Sequence, residues 1–204
     1  MNISSIGFLA FAAAAVVLFN LGGSVEYRKI LLGIFNAAFI AGFAGSIEGL
    51  LPLLAFLALG YAFILIIQSG HGGGALSGGL LPVFIAVTVA AFIYLKKYTI
   101  IDFAPGLSFP YVVVGLSYIL FRIIHLMIDL QSGAIKGPIT AAVYFNYTCF
   151  FLNFTAGPIQ RFQSFAPQAR GEAREPLSER EVFNAFSRII NGYVKIVLVS
   201  ALFF

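Results

Sequence analysis

The fold is decided by residues 49–95, which read GLLPLLAFLALGYAFILIIQSGHGGGALSGGLLPVFIAVTVAAFIYL and contain no charged side chain. A helix needs about 20 apolar residues to cross the hydrocarbon core of a bilayer, which is about 30 Å thick. The run is too long for one crossing and fits two. Six glycines within residues 69–79 favour a flexible loop between them. The sequence therefore predicts two membrane-spanning helices, at residues 50–68 and 80–95.

The composition of the whole chain agrees with this local pattern. Hydrophobic residues make up 60% of the 204 residues, charged residues 10%, and the mean hydropathy is +0.98. Soluble domains have roughly 25% charged residues, and so few charges could not cover a soluble domain that contains 23 phenylalanines. We therefore expect an all-α, polytopic membrane helical bundle of about seven spans, forming a single domain over residues 1–204. A soluble enzyme, a disordered tail and a disulfide-built secreted module are excluded.

Five further spans are predicted from the remaining apolar runs. A short charged turn with Glu26, Arg28 and Lys29 separates the first span from the second, and a polar loop over residues 157–181 separates the sixth from the seventh. More Lys and Arg lie on the side of that polar loop, so this side and the N-terminus should be cytoplasmic. The five spans are residues 3–21, 30–47, 109–128, 138–156 and a last one that begins near residue 178.

The seventh span has a recognisable helix start. Ser178 and Glu181 form an S-x-x-E capping box ahead of an apolar run. In its first half the apolar residues share one helical face, while its last residues are apolar all round. We therefore expect an amphipathic helix that begins in the membrane interface and then enters the bilayer or the protein.

The fifth span carries a stripe of polar residues. Tyr118, Arg122, His125 and Asp129 are spaced four, three and four residues apart, which places them on one helical face. Arg and Asp each cost roughly 2.5–3.5 kcal/mol at the centre of a bilayer, so the stripe must face protein or water. It forms either a wall that faces a substrate tunnel, or a structural ion pair or interfacial anchor.

The sixth span carries Asn146, Cys149 and Asn153 at spacings of three and four. Asn146 and Asn153 are candidates for the same tunnel, and hydrogen bonding between helices is the alternative. Two histidines and one cysteine cannot assemble a zinc site, so no metal is predicted. The basic residues form no continuous stripe, so nucleic acid is not a predicted partner.

Residues 144–168, YFNYTCFFLNFTAGPIQRFQSFAPQ, resemble a signature of the membrane-bound O-acyltransferase (MBOAT) family. In that family, aromatic residues precede A/S-G-P-I, a basic residue and a later Phe. Residues 114–118, VGLSY, followed by Asp129, resemble the family's G-x-S-[FY] helix with its later acidic residue. Residues 186–198, FSRIINGYVKIVL, resemble its F-x-x-G-x-x-K helix. The three stretches occur in the order that the family has.

The resemblance implies an enzyme that transfers an acyl group from an activated donor to a hydroxyl. The nearest branch contains the bacterial alginate O-acetyltransferases and the teichoic-acid D-alanyl transfer proteins. It implies an acetyl or related group, an acyl-CoA or acyl-carrier donor with no bound cofactor, and an exported polysaccharide or cell-envelope polymer as acceptor. It also implies the bacterial inner membrane and other envelope acetylation proteins as partners. The residues that match the family motifs are Gly157, Pro158, Ile159, Arg161 and Lys195.

Each of these motif residues also has a simpler interpretation. Gly157 and Pro158 belong to a loop that re-enters the protein, or they end a helix. Arg161 contacts an anionic donor or anchors the chain at the lipid headgroups. Lys195 is the lysine of the family's F-x-x-G-x-x-K helix, or its side chain extends to the membrane interface.

The family's catalytic histidine is expected in a later segment, beyond Phe204, and neither His71 nor His125 aligns with it. The chain is therefore expected to be an N-terminal part of a longer enzyme and inactive alone. A transporter or channel subunit, with the polar stripe as an ion path, and a non-catalytic membrane partner are the alternatives.

Overall fold

The computed structural model describes residues 5–44, 46–70, 76–96, 107, 111–155, 160–170 and 178–203. Within these residues every regular element is helical, which confirms the predicted all-α class. Two 3₁₀ turns, Glu48–Leu50 and Phe151–Asn153, accompany the α-helices. The α-helices are α1 (Ile6–Leu21), α2 (Val25–Ala41), α3 (Leu51–Gly70), α4 (Leu76–Lys96), α5 (Leu116–Gln131), α6 (Ala141–Thr148), α7 (Phe162–Arg170) and α8 (Glu179–Phe203).

Two helices of the described part are long and apolar enough to cross a membrane. They are the stretches Glu48–Ser69 and Gly79–Lys96, and they correspond to the two spans predicted from residues 49–95. Helix α1 is also apolar but shorter. Many large apolar side chains on these helices point away from the protein, among them Leu21, Leu54 and Val83. By length and composition, the helices therefore favour association with a membrane.

Helix α2 begins earlier than predicted, because its N-terminus has a good cap. The Ser24 hydroxyl accepts a hydrogen bond from the Tyr27 N–H at 3.2 Å, and Val25 is the first helical residue. The charged residues predicted to form a turn, Glu26, Arg28 and Lys29, therefore lie in the helix itself. Glu26 in the first turn is favourable there because helix N-termini carry partial positive charge.

Helix α5 is the centre of the bundle and packs against α3, α4 and α6. It begins at Leu116 because Gly115 has a φ of +78°, a conformation that residues with a side chain rarely adopt. A Cβ atom on Gly115 would also lie 2.6 Å from the Phe154 carbonyl oxygen. This close approach brings residue 115 against the segment that follows α6. Buried apolar residues line the inner face of α5: Leu116, Ile119, Leu120, Ile123, Leu126, Met127 and Leu130.

The sixth predicted span is not a continuous helix. Helix α6 ends at Thr148, and the chain continues through Cys149 and Phe150 into the 3₁₀ turn Phe151–Asn153. Eight residues of α-helix are about 12 Å long, less than half the thickness of a bilayer core. The prediction of an unbroken helix over residues 138–156 is therefore wrong.

Two helices follow the broken segment. Helix α7 lies within residues 157–181, which the sequence predicts to be a polar loop. Helix α8 begins at Glu179, as the capping box predicts. The Glu181 N–H donates to the Ser178 hydroxyl at 3.2 Å, and the Glu181 carboxylate accepts from the Ser178 N–H at 3.0 Å. The carboxylate also accepts from the Ser178 hydroxyl at 2.9 Å. The bond from the Ser178 N–H and, to a smaller extent, the bond from the hydroxyl lower the pKa of Glu181, which lies at the exposed start of α8.

Candidate functional site

The most unusual feature of the core is the break between α6 and the 3₁₀ turn at Phe151. A helix end leaves backbone carbonyl groups without partners, and a new helix start leaves N–H groups without partners. Both kinds of group are buried here, since Thr148, Cys149 and Phe151 are nearly inaccessible to solvent. Two polar side chains from other helices supply the missing hydrogen bonds.

Arg122 supplies the bonds on the carbonyl side of the break. Its Nη1 donates to the carbonyl oxygens of Tyr147 at 3.0 Å and Thr148 at 3.1 Å, and its Nη2 donates to that of Asn153 at 3.2 Å. The planar guanidinium suits this task because its donors lie in a fixed fork. Its positive charge also lies at the C-terminus of α6, where the helix dipole favours a cation.

The side chain of Arg122 is buried and contacts backbone groups. The side chain is only 1% exposed, so it does not reach the membrane interface. Among the residues that the structure describes, no carboxylate lies within ion-pair distance of it. Asp129 of the same stripe lies against His125 instead, and the partners of Arg122 are backbone carbonyls and the face of the Tyr147 ring, 5.8 Å away.

Asn36 of α2 supplies the bond on the N–H side of the break. Its Oδ1 accepts from the Phe151 N–H at 3.0 Å, and its Nδ2 donates to the Asn146 Oδ1 at 3.2 Å. Asn146 in turn donates from Nδ2 to the Lys29 carbonyl at 2.9 Å. Asn36 is fully buried. The sequence reasoning missed Asn36, although a polar residue inside an apolar span is itself a signal of function or of interhelical bonding.

A second polar cluster joins α5 and α6 to the start of α7. His125 Nε2 lies 3.1 Å from Asp129 Oδ2, and His125 Nδ1 lies 3.3 Å from the Tyr147 hydroxyl. The Tyr147 hydroxyl donates to the Gln160 carbonyl at 2.8 Å, and Gln163 Nε2 donates to Asp129 Oδ2 at 2.6 Å. The His125 and Asp129 side chains are 28% and 17% exposed, so this cluster lies at the edge of the buried core.

The predicted site residues therefore have different environments. Arg122, His125 and Asp129 lie on one face of α5, as their spacing predicts, and Tyr118 is half-buried on the same helix. Asn146 and Asn153 do not share a helical face, because α6 ends between them. Asn146 is buried against α2, whereas the Asn153 carbonyl is bound by Arg122.

The family-motif residues lie at or beyond the edge of this arrangement. Gly157, Pro158 and Ile159 fall outside the described residues. Arg161 is exposed, and its carbonyl accepts hydrogen bonds from the N–H groups of Ser164 and Phe165 at the start of α7. Lys195 is exposed on α8.

An apolar groove of about 210 Å³ lies beside the break. Side chains from α1, α2, α7 and the segment after α6 form its walls, including Phe19, Leu32, Phe150 and Phe165. Its polar lining residues are Asn20, Gln160 and Gln168. Such a groove accepts an apolar chain better than a polar one, because it offers little hydrogen bonding.

The described residues contain no group of three or more His, Cys, Asp and Glu side chains that could hold a metal ion. Their arrangement offers instead a buried cation, a partly exposed histidine–carboxylate pair and an apolar groove. A comparison with models of known protein families finds none that matches the chain, and a comparison with curated proteins finds no significantly similar sequence.

Proposed function

We propose that the chain is part of a membrane-bound O-acyltransferase that transfers an acyl group, acetyl in the nearest branch, to hydroxyls of an exported polysaccharide or cell-envelope polymer. One observation carries the proposal. Two of the three stretches that resemble the family meet in the core, where Gly115 of the first lies against Phe154 of the second. Gly115 has the positive φ and the lack of a side chain that this contact requires. These two resembling stretches thus lie together in the fold.

The broken helix supports a membrane enzyme with a polar interior. Irregular backbone at membrane depth is tolerated only where protein buries it or where it lines a water-filled cavity. Arg122 and Asn36 provide the first of these conditions, and the partly exposed pair of His125 and Asp129 lies on the same side of α5 as Arg122. The break directly precedes the A-G-P-I stretch in the sequence.

The membrane placement is part of the same proposal. The outward apolar side chains of α1, α3 and α4 would form a large apolar patch in water, which soluble proteins avoid. We propose that they face lipid in the bacterial inner membrane. The chain would then cross the membrane seven times, and the broken α6 segment and α8 would be the sixth and seventh crossings. Other envelope acetylation proteins are the proposed partners.

The reaction would join the acceptor hydroxyl oxygen to the carbonyl carbon of the donor's acyl group and break the bond from that carbon to the donor's sulfur. The hydroxyl proton must pass to a general base, and the thiolate leaves with the donor. The histidine that the family uses as its base is the proposed general base. Arg161 would bind the anionic part of the donor.

A transfer assay tests the proposal. Native membranes that contain the protein are given a donor with a radiolabelled acetyl group, and alkali-labile ester on the polymer is measured. We expect Arg161→Gln to reduce ester formation at least tenfold and Arg170→Gln, at the other end of α7, to leave it unchanged. Label that crosses the membrane without forming ester would favour a transporter. Equal activity of the two variants would contradict the proposal.

A further inference from the structure

The hydroxyl of Tyr147 lies between two groups that compete for it. The Gln160 carbonyl oxygen, 2.8 Å away, can only accept a hydrogen bond, so the single hydroxyl proton points to it. The hydroxyl oxygen can then only accept from His125 Nδ1, at 3.3 Å. This second bond exists only when Nδ1 carries a proton.

The other ring nitrogen of His125 has the same requirement. Nε2 lies 3.1 Å from Asp129 Oδ2, and a carboxylate oxygen accepts but does not donate. Oδ2 already accepts from Gln163 Nε2. Both contacts of the ring are therefore satisfied together only in the doubly protonated, positively charged imidazolium.

A neutral ring has one proton and must give up one contact. The proton stays on Nε2, because a bond to a charged carboxylate is stronger than one to a hydroxyl. Nδ1 then becomes an acceptor and competes with the Gln160 carbonyl for the Tyr147 proton. Loss of the His125 proton thus weakens the bond that holds residue 160.

Few charged groups surround His125. Asp129 and Arg122 lie on its own helix, and Arg122 is turned to the carbonyls of Tyr147 and Thr148. From α6 the facing group is Tyr147, from α7 it is Gln163, and Arg161 is exposed at the start of α7. Among the described residues of α3 and α4 the only charged side chain is Lys96, at the last residue of α4.

We propose that protonation of His125 locks α7 onto α5 and α6, so that the docking of residues 160–170 depends on pH. The lock consists of two links: Tyr147 to Gln160, and Asp129 to Gln163. In the charged state His125 supports both links, and in the neutral state it opposes the first. Docking is therefore strongest at low pH and weakens as pH rises and His125 loses its proton. The inference rests on these contacts and does not depend on the acyl-transfer activity.

Hydrogen–deuterium exchange on the full chain in detergent micelles tests the lock. Exchange is compared along a pH series from acid to alkaline conditions, after correction for intrinsic rates. We expect amides within residues 160–170 to be roughly tenfold better protected at the low end, the effect of one bond to a charged group. Amides of α3 serve as the internal reference and should show no such change.

Matched variants assign the effect to one residue. His125→Gln cannot be charged and should abolish the pH dependence, whereas His71→Gln, which changes the other histidine, should preserve it. A ¹⁵N spectrum of the unmodified chain provides a test without mutation, and should show a ring that is doubly protonated at low pH and protonated at Nε2 at high pH. Protection of residues 160–170 that is independent of pH, or a pH dependence that survives His125→Gln, would overturn the proposal.

Discussion

Replacement of Arg122 by methionine tests whether a single side chain holds the broken helix. Methionine fills much of the same volume but donates no hydrogen bond. The carbonyl groups of Tyr147, Thr148 and Asn153 would lose the partner that Arg122 provides. The expected result is opening of the segment around the break.

The magnitude follows from these three bonds. A buried carbonyl left without a partner costs about 1–3 kcal/mol, so the three together cost about 3–9 kcal/mol. Removal of a buried charge returns several kcal/mol, because the guanidinium no longer has to leave water. We therefore expect a net loss of about 3 kcal/mol. Arg122→Lys keeps the charge but not the planar fork, and should lose about half as much.

Cys149 is a natural probe for this change. It is the single cysteine of the chain and is fully buried next to the break, so a maleimide reaches it only when the segment opens. A loss of about 3 kcal/mol in opening free energy should speed labelling in detergent micelles roughly hundredfold. The control is Arg188→Met, the same replacement at an exposed position of α8, which should leave the rate unchanged. The reasoning is refuted if Arg122→Met labels within about threefold of the unmodified chain.

Two further replacements test the backbone and the start of α8. Gly115→Ala should destabilise the protein by about 2 kcal/mol more than Gly133→Ala in thermal unfolding followed by circular dichroism, because both glycines have positive φ but only Gly115 contacts Phe154. Equal losses would show that the contact contributes nothing. The lowered pKa of Glu181 means that its carboxylate stabilises the helix start above the ordinary glutamate pKa, and that this is lost as pH falls through the lowered value. Hydrogen exchange of residues 179–185 should therefore accelerate on acidification in the unmodified chain and not in Glu181→Gln.

The parts of the fold that the sequence predicts well are those set by local pattern. The uncharged run of residues 49–95 is long enough for two helices, and α3 and α4 occupy it. The capping box places the start of α8 within one residue, because Ser178 and Glu181 bond to each other and need no other element. The spacing on α5 likewise gives its polar face.

The break after Thr148 could not be predicted from local pattern. Residues 138–156 are as apolar as a membrane span, and nothing in them alone stops a helix at Thr148. The groups that make the break stable are distant in sequence. Arg122 lies on α5, whereas the carbonyl groups that it binds lie at the end of α6 and beyond it. Asn36 lies on α2. Only the packing of α2 and α5 around α6 brings these side chains together.

The buried guanidinium of Arg122 has a consequence for how the chain would enter a membrane. An arginine at the centre of a bilayer costs roughly 2.5–3.5 kcal/mol while it has no partner. The carbonyls that receive its hydrogen bonds belong to residues 147–153, which a ribosome makes only after α5 is complete. Helix α5 would therefore remain poorly inserted until α6 follows it. The two segments are thus expected to leave the insertion machinery as a hairpin, and a ribosome stalled before Tyr147 should leave α5 outside the lipid.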